Sequence, residues 1–187
     1  MVTWRVGKLN MPIILGVDPG SCSTGYGIVR CENQQLTYLA SGCIQLRREV
    51  FAERLKHIFN DLQSLLVEYK PTEMAIEQVF FHINASAALK LGQARGAAIA
   101  AAAVAQLNVS EYSARQVKKA VVGYGAASKQ QVQEMIRLRL HLTRTPQSDA
   151  ADALALAVCH AQSRSLQMAL TVHAARSKLL FRRGRLR

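Results

Sequence analysis

Negative charge and aromatic side chains are both scarce in this chain. Its 187 residues include 12 Asp and Glu against 24 Lys and Arg, a formal net charge of +12, and only 6% are aromatic. The longest apolar run, AAIAAAAVA at 97–105, is far shorter than the ~20 residues that span a bilayer. The opening MVTWRVGKLNMP lacks the apolar core of a signal peptide. These absences favour a cytoplasmic protein with no membrane partner.

Cysteine spacing offers no sign of a zinc site. The four cysteines are Cys22, Cys31, Cys43 and Cys159, with no CxxC pair among them. Small buried thiols in a reducing compartment are therefore expected.

Positive charge is concentrated in two regions. Nine Lys and Arg lie between 90 and 144 against only Glu111 and Glu134, and seven more follow from 164 to the end with no acid among them. A basic tail alone is often only a solvated end. Basic residues in both a folded half and a tail favour a nucleic-acid partner.

Hydrophobic periodicity divides the chain into a short extension, one domain and a tail. The extension is 1–11, with Met11 as a possible true start, the domain is 12–163, and the basic tail is 164–187. Within the domain the pattern predicts strands at 13–17, 25–31, 36–46, 74–76 and 109–112. It predicts helices at 51–69, 84–107, 114–122, 128–140 and 149–163.

This order of elements predicts the fold class. Three strands joined by tight turns form an antiparallel meander, and the crossover helix at 51–69 implies parallel pairing for the fourth strand. We expect a mixed five-stranded α/β sheet with helices on both faces. Sites in such sheets form at strand ends.

Four of the twelve acids occupy such places. Asp18 follows IILGV, Glu77 follows MAI, and Asp149 and Asp152 stand three apart at the start of an alanine-rich helix. Each has a structural alternative. Asp18 before Pro-Gly could cap a turn, Glu77 could form a buried salt bridge, and Asp149 could be an N-cap with Asp152 at N3.

Together the four acids suggest a metal site. Four carboxylates in one place would repel each other and raise each other's pKa, so divalent cations are needed to neutralise them. Ligands that are all oxygen select Mg²⁺ or Mn²⁺ over zinc. Two such ions would suit hydrolysis at phosphorus.

Four segments of the chain resemble signature blocks of a known family. They are IILGVDPGSCSTGYGIV, AIEQVFFHINASAALKLGQARG, ARQVKKAVVGYGAASKQQVQ and PQSDAADALALAVCHA. In this order, from about Pro12 to His160, they are similar to the RuvC family of bacterial Holliday-junction resolvases. The resemblance implies an RNase H-like fold and a homodimer that nicks two opposing strands of four-way junction DNA, leaving 5′-phosphate and 3′-hydroxyl ends.

The resemblance also implies roles for individual residues. Asp18, Glu77, Asp149 and Asp152 match the family's catalytic, metal-binding acids, which would hold two Mg²⁺ per site, with Mn²⁺ as a substitute. Phe80 matches an aromatic residue that meets bases at the junction centre. Lys118 and Lys129 match basic residues near the DNA. A branch-migration helicase complex of the RuvA/RuvB type is the implied partner, and association with the bacterial nucleoid during recombination is expected.

Three other functions remain as alternatives at this point. An actin-like or sugar-kinase-like ATPase shares the DxG loop but needs a second such loop. A binding module without catalysis would have lost at least one acid. Another RNase H-like nuclease, acting on RNA or simple duplex, has the same chemistry and differs only in its motifs.

Overall fold

A computed structural model describes residues 11–20, 22–32, 35–46, 50–78 and 85–183, with the backbone alone at 168 and 172–183. The strands are β1 (Ile13–Asp18), β2 (Ser23–Glu32), β3 (Gln35–Gln45), β4 (Glu73–Glu77) and β5 (Asn108–Tyr112). The helices are α1 (Phe51–Tyr69), α2 (Ala85–Val104), α3 (Ala114–Val122), α4 (Lys129–Arg139) and α5 (Ser148–Arg183).

The five strands form one mixed sheet in the order β3-β2-β1-β4-β5. Strand β2 pairs antiparallel with both β1 and β3, whereas β4 lies parallel to β1 and to β5. The predicted meander and the predicted parallel pairing are both confirmed. Because β1 and β4 are parallel neighbours, their carboxyl ends lie side by side.

Local sequence explains where the helices begin and end. In α1 the residues Ile58, Leu62 and Leu66 recur at helical spacing and are buried, and the helix ends at Lys70 in the left-handed region, just before Pro71. Helices α3 and α4 each begin with a capping box in which a serine and a glutamine three residues later satisfy each other's backbone N–H groups. These caps fix the first turns of two helices that carry basic residues.

The helices cover both faces of the sheet, as predicted. One core packs α1 and α2 against strand residues such as Leu15, Ile28 and Ile76. The other packs α3, α4 and α5 against residues such as Ile14, Val29 and Ala75. Alternate residues of the same strands therefore serve opposite cores, as the two-residue strand period requires.

Helix α5 lies unusually close to the sheet because glycines stand beneath it. An ideal Cβ at Gly25 would collide with the carbonyl oxygen of Asp149, and one at Gly16 would collide with that of Ala153. Only glycine permits this approach. The close contact brings the first turn of α5 to the ends of β1 and β2.

Three sequence-based predictions need correction. The last helix does not end at Ser163 but continues to Arg183, because no Gly or Pro interrupts it before Gly184. It begins at Ser148, so Asp149 lies within its first turn and is not the N-cap. Two cysteines, Cys31 and Cys159, are buried as predicted, whereas Cys22 is exposed and Cys43 half-buried.

Among the described helices, none is long and apolar enough to cross a membrane.

Candidate active site

Asp18 and Glu77 meet at the carboxyl ends of two parallel neighbours. Val17 of β1 pairs in register with Ile76 of β4, so the next residue of each strand is an acid. Both carboxyl groups are partly buried, and they hydrogen-bond to each other. Two carboxylates cannot share a hydrogen bond unless one holds a proton.

Asp149 joins them from the first turn of α5. The Ser23 hydroxyl, on the first residue of β2, donates a 2.7 Å hydrogen bond to its Oδ2. The absence of a side chain at Gly25 brings the Asp149 backbone down onto β2. Strand β2 therefore holds Asp149 through both its backbone and its side chain.

Asp152 lies on the same face of α5, one turn later. Its Oδ2 accepts a 3.3 Å hydrogen bond from Lys129 Nζ at the start of α4. The lysine side chain is 71% exposed, so this ion pair adds little to stability. Its effect lies instead in the positive charge that it brings to the edge of an acidic site.

The electrostatics of Asp18 show how closely the four acids converge. Its pKa rises to about 8, chiefly because the carboxyl group is desolvated, and then because Glu77, Asp152 and Asp149 place negative charge nearby. A hydrogen bond from Asp18 to Glu77 acts in the same direction. Asp18 is thus the acid of this group that would hold a proton near neutral pH.

Burial also raises the pKa of Glu77 and of Asp152. For Glu77 this effect is opposed by the hydrogen bond from Asp18 and by the charges of Lys129 and Lys118. Lys129 likewise opposes the shift at Asp152, and Asp152 in turn raises the pKa of Lys129. Both predicted lysines therefore act electrostatically on the acids.

The donor set fits a hard divalent cation, although it is not drawn together as a finished site. Among the described residues, no three or more His, Cys, Asp or Glu side chains are arranged so as to hold a metal ion. The four acids nevertheless offer only oxygen donors, which suit Mg²⁺ or Mn²⁺. A proton on Asp18 would relieve their repulsion, and a bound cation would relieve it in the same way.

The structure places the four acids and Lys129 close enough for their charges to act on one another, with direct contacts between Asp18 and Glu77 and between Lys129 and Asp152. Lys118 on α3 is close enough for its charge to act on Glu77 and Asp152. Phe80 lies outside the described residues. The catalytic and DNA-binding roles of all seven stay predictions.

Sequence reasoning missed three residues that shape the site. Ser23 orients Asp149. Cys43 lies close enough to the site that, after burial, the charges of Asp149 and Asp18 help to raise its pKa. Arg95 of α2 donates to the Glu77 carbonyl oxygen at 3.2 Å and pairs with Glu111 at 2.6 Å. A single serine or arginine in the sequence does not indicate a contact with the site, because each of these contacts joins two different secondary-structure elements.

Comparison with known proteins identifies the family. The sequence pattern that defines the family described as crossover junction endodeoxyribonuclease RuvC matches residues 14–160. A protein of that description from Marinobacter nauticus is 60% identical over 163 residues, which cover 86% of this chain and 93% of the relative.

Solved structures agree with the sequence match. The structure of Thermus thermophilus RuvC aligns with a TM-score of 0.76 at 33% identity, covering 83% of this chain and 96% of that one. A second structure, of T. thermophilus RuvC in complex with Holliday junction substrate, aligns with a TM-score of 0.75 at 34% identity, covering 80% and 93%. The predicted RNase H-like fold is confirmed. On its sequence, its sheet order and these matches, the chain belongs to the RuvC family of crossover junction endodeoxyribonucleases.

Proposed function

We propose that this chain resolves four-way DNA junctions by paired, symmetric hydrolysis of two phosphodiester bonds, and that its four clustered acids are the catalytic residues. The observation that carries this proposal is the convergence of acids from β1, β4 and α5. Burial, and then the charges of the other three acids, raise the pKa of Asp18 to about 8. Strongly shifted carboxyl groups in a cluster are typical of functional sites. The family's activity on crossover junctions supplies the reaction.

Asp18, Glu77, Asp149 and Asp152 would hold two divalent ions, Mg²⁺ or in its place Mn²⁺. When bound, the metal would supply a nucleophile from water and stabilise charge on the phosphate oxygens. Partial burial of Asp18 and Glu77 keeps their charge poorly solvated, which strengthens their attraction for a cation. The same repulsion that favours a proton on Asp18 therefore favours metal in its place.

Other residues of the chain would prepare the site. Ser23 donates to Oδ2 of Asp149, which limits the rotation of that carboxylate and leaves its other oxygen available. Lys129 balances the charge of Asp152 and stands at the exposed side of the acids, where a DNA phosphate would approach. Lys118 adds a second positive charge that acts on Asp152.

Binding to the junction would rest on positive charge distributed over the surface. The net charge of +12 and the basic stretch between 90 and 144 suit a polyanion, and affinity for it should fall as salt rises. Lys118 and Lys129 lie on α3 and α4, which share one face of the sheet with α5. The roles in DNA binding of these two lysines and of Phe80 are carried from the family resemblance.

Two partners are proposed besides DNA. A homodimer would place two related active sites on a junction that is itself close to two-fold symmetric. A branch-migration complex of the RuvA/RuvB type is expected from the family resemblance alone.

A comparison of substrates tests the proposed reaction. We expect Mg²⁺-dependent cleavage of a four-way junction, and far slower cleavage of linear duplex or RNA–DNA hybrid of the same sequence. Asp18→Asn, Glu77→Gln, Asp149→Asn and Asp152→Asn should each reduce cleavage at least about 10²-fold, a loss typical of removing one group that acts on the transition state. Junction binding, measured in Ca²⁺, should change little because it rests on the basic surface.

Asp61→Asn is the matched control, because Asp61 is an exposed residue of α1. It removes the same charge and should leave cleavage unchanged. Preferential cleavage of RNA–DNA hybrid would assign the chain to another RNase H-like activity. Wild-type cleavage by any one of the four acid variants would remove that acid from the site.

A further inference from the structure

A mostly buried polar network joins β4 to α5 at the end of the strand away from the acids. One oxygen of Glu73, Oε2, lies 2.6 Å from Nε2 of His160, and the other, Oε1, accepts a 2.9 Å hydrogen bond from Nε of Arg164. The side chains of Glu73, His160 and Arg164 are only 19%, 9% and 20% exposed. One strand residue thus binds two residues that are a helical turn apart on α5.

The donor and the acceptor of each hydrogen bond in this network can be assigned from the chemistry of its groups. An ionised carboxylate only accepts, so Nε2 of His160 must carry the proton that bonds to Glu73. In a neutral imidazole Nδ1 is then an acceptor, and the Tyr112 hydroxyl lies 2.8 Å from it. Tyr112, at the end of β5, therefore extends the network to a third element.

Tyr112 also connects the network to the catalytic end of β4. It pairs in register with Glu77, and its carbonyl oxygen accepts a 2.8 Å hydrogen bond from the backbone N–H of Gln78. Helix α5 is thus tied to β4 directly at Glu73 and, through Tyr112, beside Glu77.

The axial spacings on the two elements match. Asp152 precedes His160 by eight residues, an axial rise of about 12 Å in a helix. Glu73 precedes Glu77 by four residues, a length of about 13 Å in a strand. When His160 stands at Glu73, Asp152 consequently stands at the level of Glu77.

Elsewhere in this interface α5 is held by the Ser23–Asp149 hydrogen bond and by Leu154, which lies over Gly27, and much of the remaining contact is made by glycines and short side chains. Beneath α5 lie Gly16, Gly25 and Gly27. The buried part of the helix contains six short side chains, Ala150, Ala151, Ala153, Ala155, Ala157 and Ala161, together with the larger Leu154, Leu156 and Val158. Short side chains allow close approach but interdigitate little along the axis. A buried ionic contact adds little net stability, but it can specify a register.

We propose that Glu73 is a positioning residue, which sets the axial position of α5 and so places Asp149 and Asp152 opposite Asp18 and Glu77. The inference rests on the proposed function, because it assigns those acids to the reaction. A slip of one helical turn would move Asp152 by about 5.4 Å, which removes it from the site. Glu73 itself lies at the opposite end of β4 from Glu77.

The test compares Glu73→Ala with Glu73→Gln. At saturating junction and Mg²⁺, Glu73→Ala should cleave at least tenfold more slowly, with KM changed less than twofold. Glu73→Gln should keep most of the rate, because its amide oxygen can still accept from Arg164. Its amide N–H can donate to Nε2 of His160 when the imidazole carries its proton on Nδ1 and donates it to the Tyr112 hydroxyl. Glu53→Ala is the control, since it breaks an exposed ion pair with Lys56 on α1 and should change nothing.

A second readout does not depend on cleavage. Mn²⁺ added to the DNA-free protein should raise its melting temperature, and Glu73→Ala should need several-fold more Mn²⁺ for half of that rise. This separates the two proposals. If the wild type cleaves no junction but the Mn²⁺ midpoint shifts in Glu73→Ala, the proposed function fails while the positioning role stands.

A merely structural role predicts the opposite pattern. Glu73→Ala would then melt at a lower temperature, yet cleave at the wild-type rate per folded molecule with an unchanged Mn²⁺ midpoint, and this result would overturn the proposal. If Glu73→Ala does not fold, Arg164→Met serves instead, because it removes one partner and keeps the carboxylate. It should cleave about threefold more slowly, and equality with wild type in both readouts would equally overturn the proposal.

Discussion

At the scale of single residues, Asp18 is expected to make the metal-free protein less stable as pH rises. Its pKa in the folded chain is about 8, against ~3.9 for an unfolded Asp. Between these values the folded state binds a proton that the unfolded state has released, so the free energy of unfolding falls as pH rises. In EDTA, Asp18→Asn should therefore melt several degrees above wild type at about pH 8.5, where roughly 2–4 °C corresponds to 1 kcal/mol.

Two comparisons isolate this effect from other titrating groups. At about pH 4 the carboxyl group is protonated in the folded state and about half protonated in the unfolded state, so the melting temperatures of wild type and Asp18→Asn should come close together. Mg²⁺ should stabilise the wild type at high pH more than it stabilises the variant. A constant difference across the whole pH range would show that Asp18 does not take up a proton on folding.

Phe80 is expected to act on DNA and not on the metal. An aromatic ring that stacks on an unpaired base contributes ~1–3 kcal/mol per base. Phe80→Ala should therefore cleave an intact junction about tenfold or more slowly, while its melting temperature stays near that of wild type. A junction with unpaired bases at its centre should recover part of the rate. Equal loss on both substrates, or a large fall in melting temperature, would place Phe80 in the core.

The residues that could be predicted from sequence are those with a local signal. Asp18 and Glu77 each end an apolar strand, and Asp149 and Asp152 share one face of a helix. Ser23 and the Glu73–His160 contact could not be predicted, because their partners lie 126 and 87 residues away. Such contacts depend on the packing of α5 across the sheet, which no local pattern encodes.

At the scale of elements, α5 shows the limit of reading boundaries from composition. The change to basic residues after Ser163 suggested a separate tail, but alanine, leucine and arginine are strong helix formers and the helix continues. The ion pair of Arg164 with Glu73 fixes this continuation to the sheet at its first residue. The positive charge of this segment gave a prediction of a nucleic-acid partner, but it gave no information on whether the backbone is helical.

Gly25→Ala should damage both stability and catalysis. The added methyl group would meet the Asp149 carbonyl, which belongs to a helix and cannot move without displacing its first turn. Overpacking of this kind costs about 1–3 kcal/mol, to be measured by urea unfolding. Because the same turn carries Asp149, cleavage should fall further than the loss of folded protein explains.

Gly125→Ala is the control for this substitution. The three heavy atoms nearest to its methyl group would all belong to the side chain of Arg115, which can change rotamer, so the free energy of unfolding should stay within about 0.5 kcal/mol of wild type. Similar losses in the two variants would mean that close packing beneath α5 is not the cause.

At the scale of the whole molecule, the antiparallel meander and the parallel pairing of the fourth strand could be predicted from element order. Element order did not specify the strand order β3-β2-β1-β4-β5. The close approach of α5 to the sheet could not be predicted from the sequence in the same way. It depends on Gly16, Gly25 and Gly27 lying on the same face of two paired strands, and this requires the register of β1 against β2. Register is a property of the pair and not of either segment.

The homodimer is the prediction that belongs to the molecule as a whole. We expect light scattering at micromolar protein and moderate salt to give about twice the 20.6 kDa of one chain. Helix α2 is the proposed contact between the two copies. Its buried face, including Ala94, Ala98 and Ala101, packs on its own sheet and α1, whereas ideal Cβ atoms at Gly92 and Gly96 meet no atom of the described chain within 4 Å.

A bulky side chain on this open face of α2 should prevent the contact between the two copies without disturbing the fold of the single chain. Gly96→Trp should fold about as well as wild type as a single chain, because the position is exposed, a Cβ there meets no described atom within 4 Å, and Trp favours a helix more than Gly does. It should nevertheless give the mass of one chain and, lacking a partner, nick one strand of the junction without coordination. Leu138→Trp, on exposed α4 across the sheet, is the control and should stay dimeric. If Gly96→Trp also stays dimeric, the contact between copies lies on another surface, and a wild type with the mass of one chain would contradict the dimer itself.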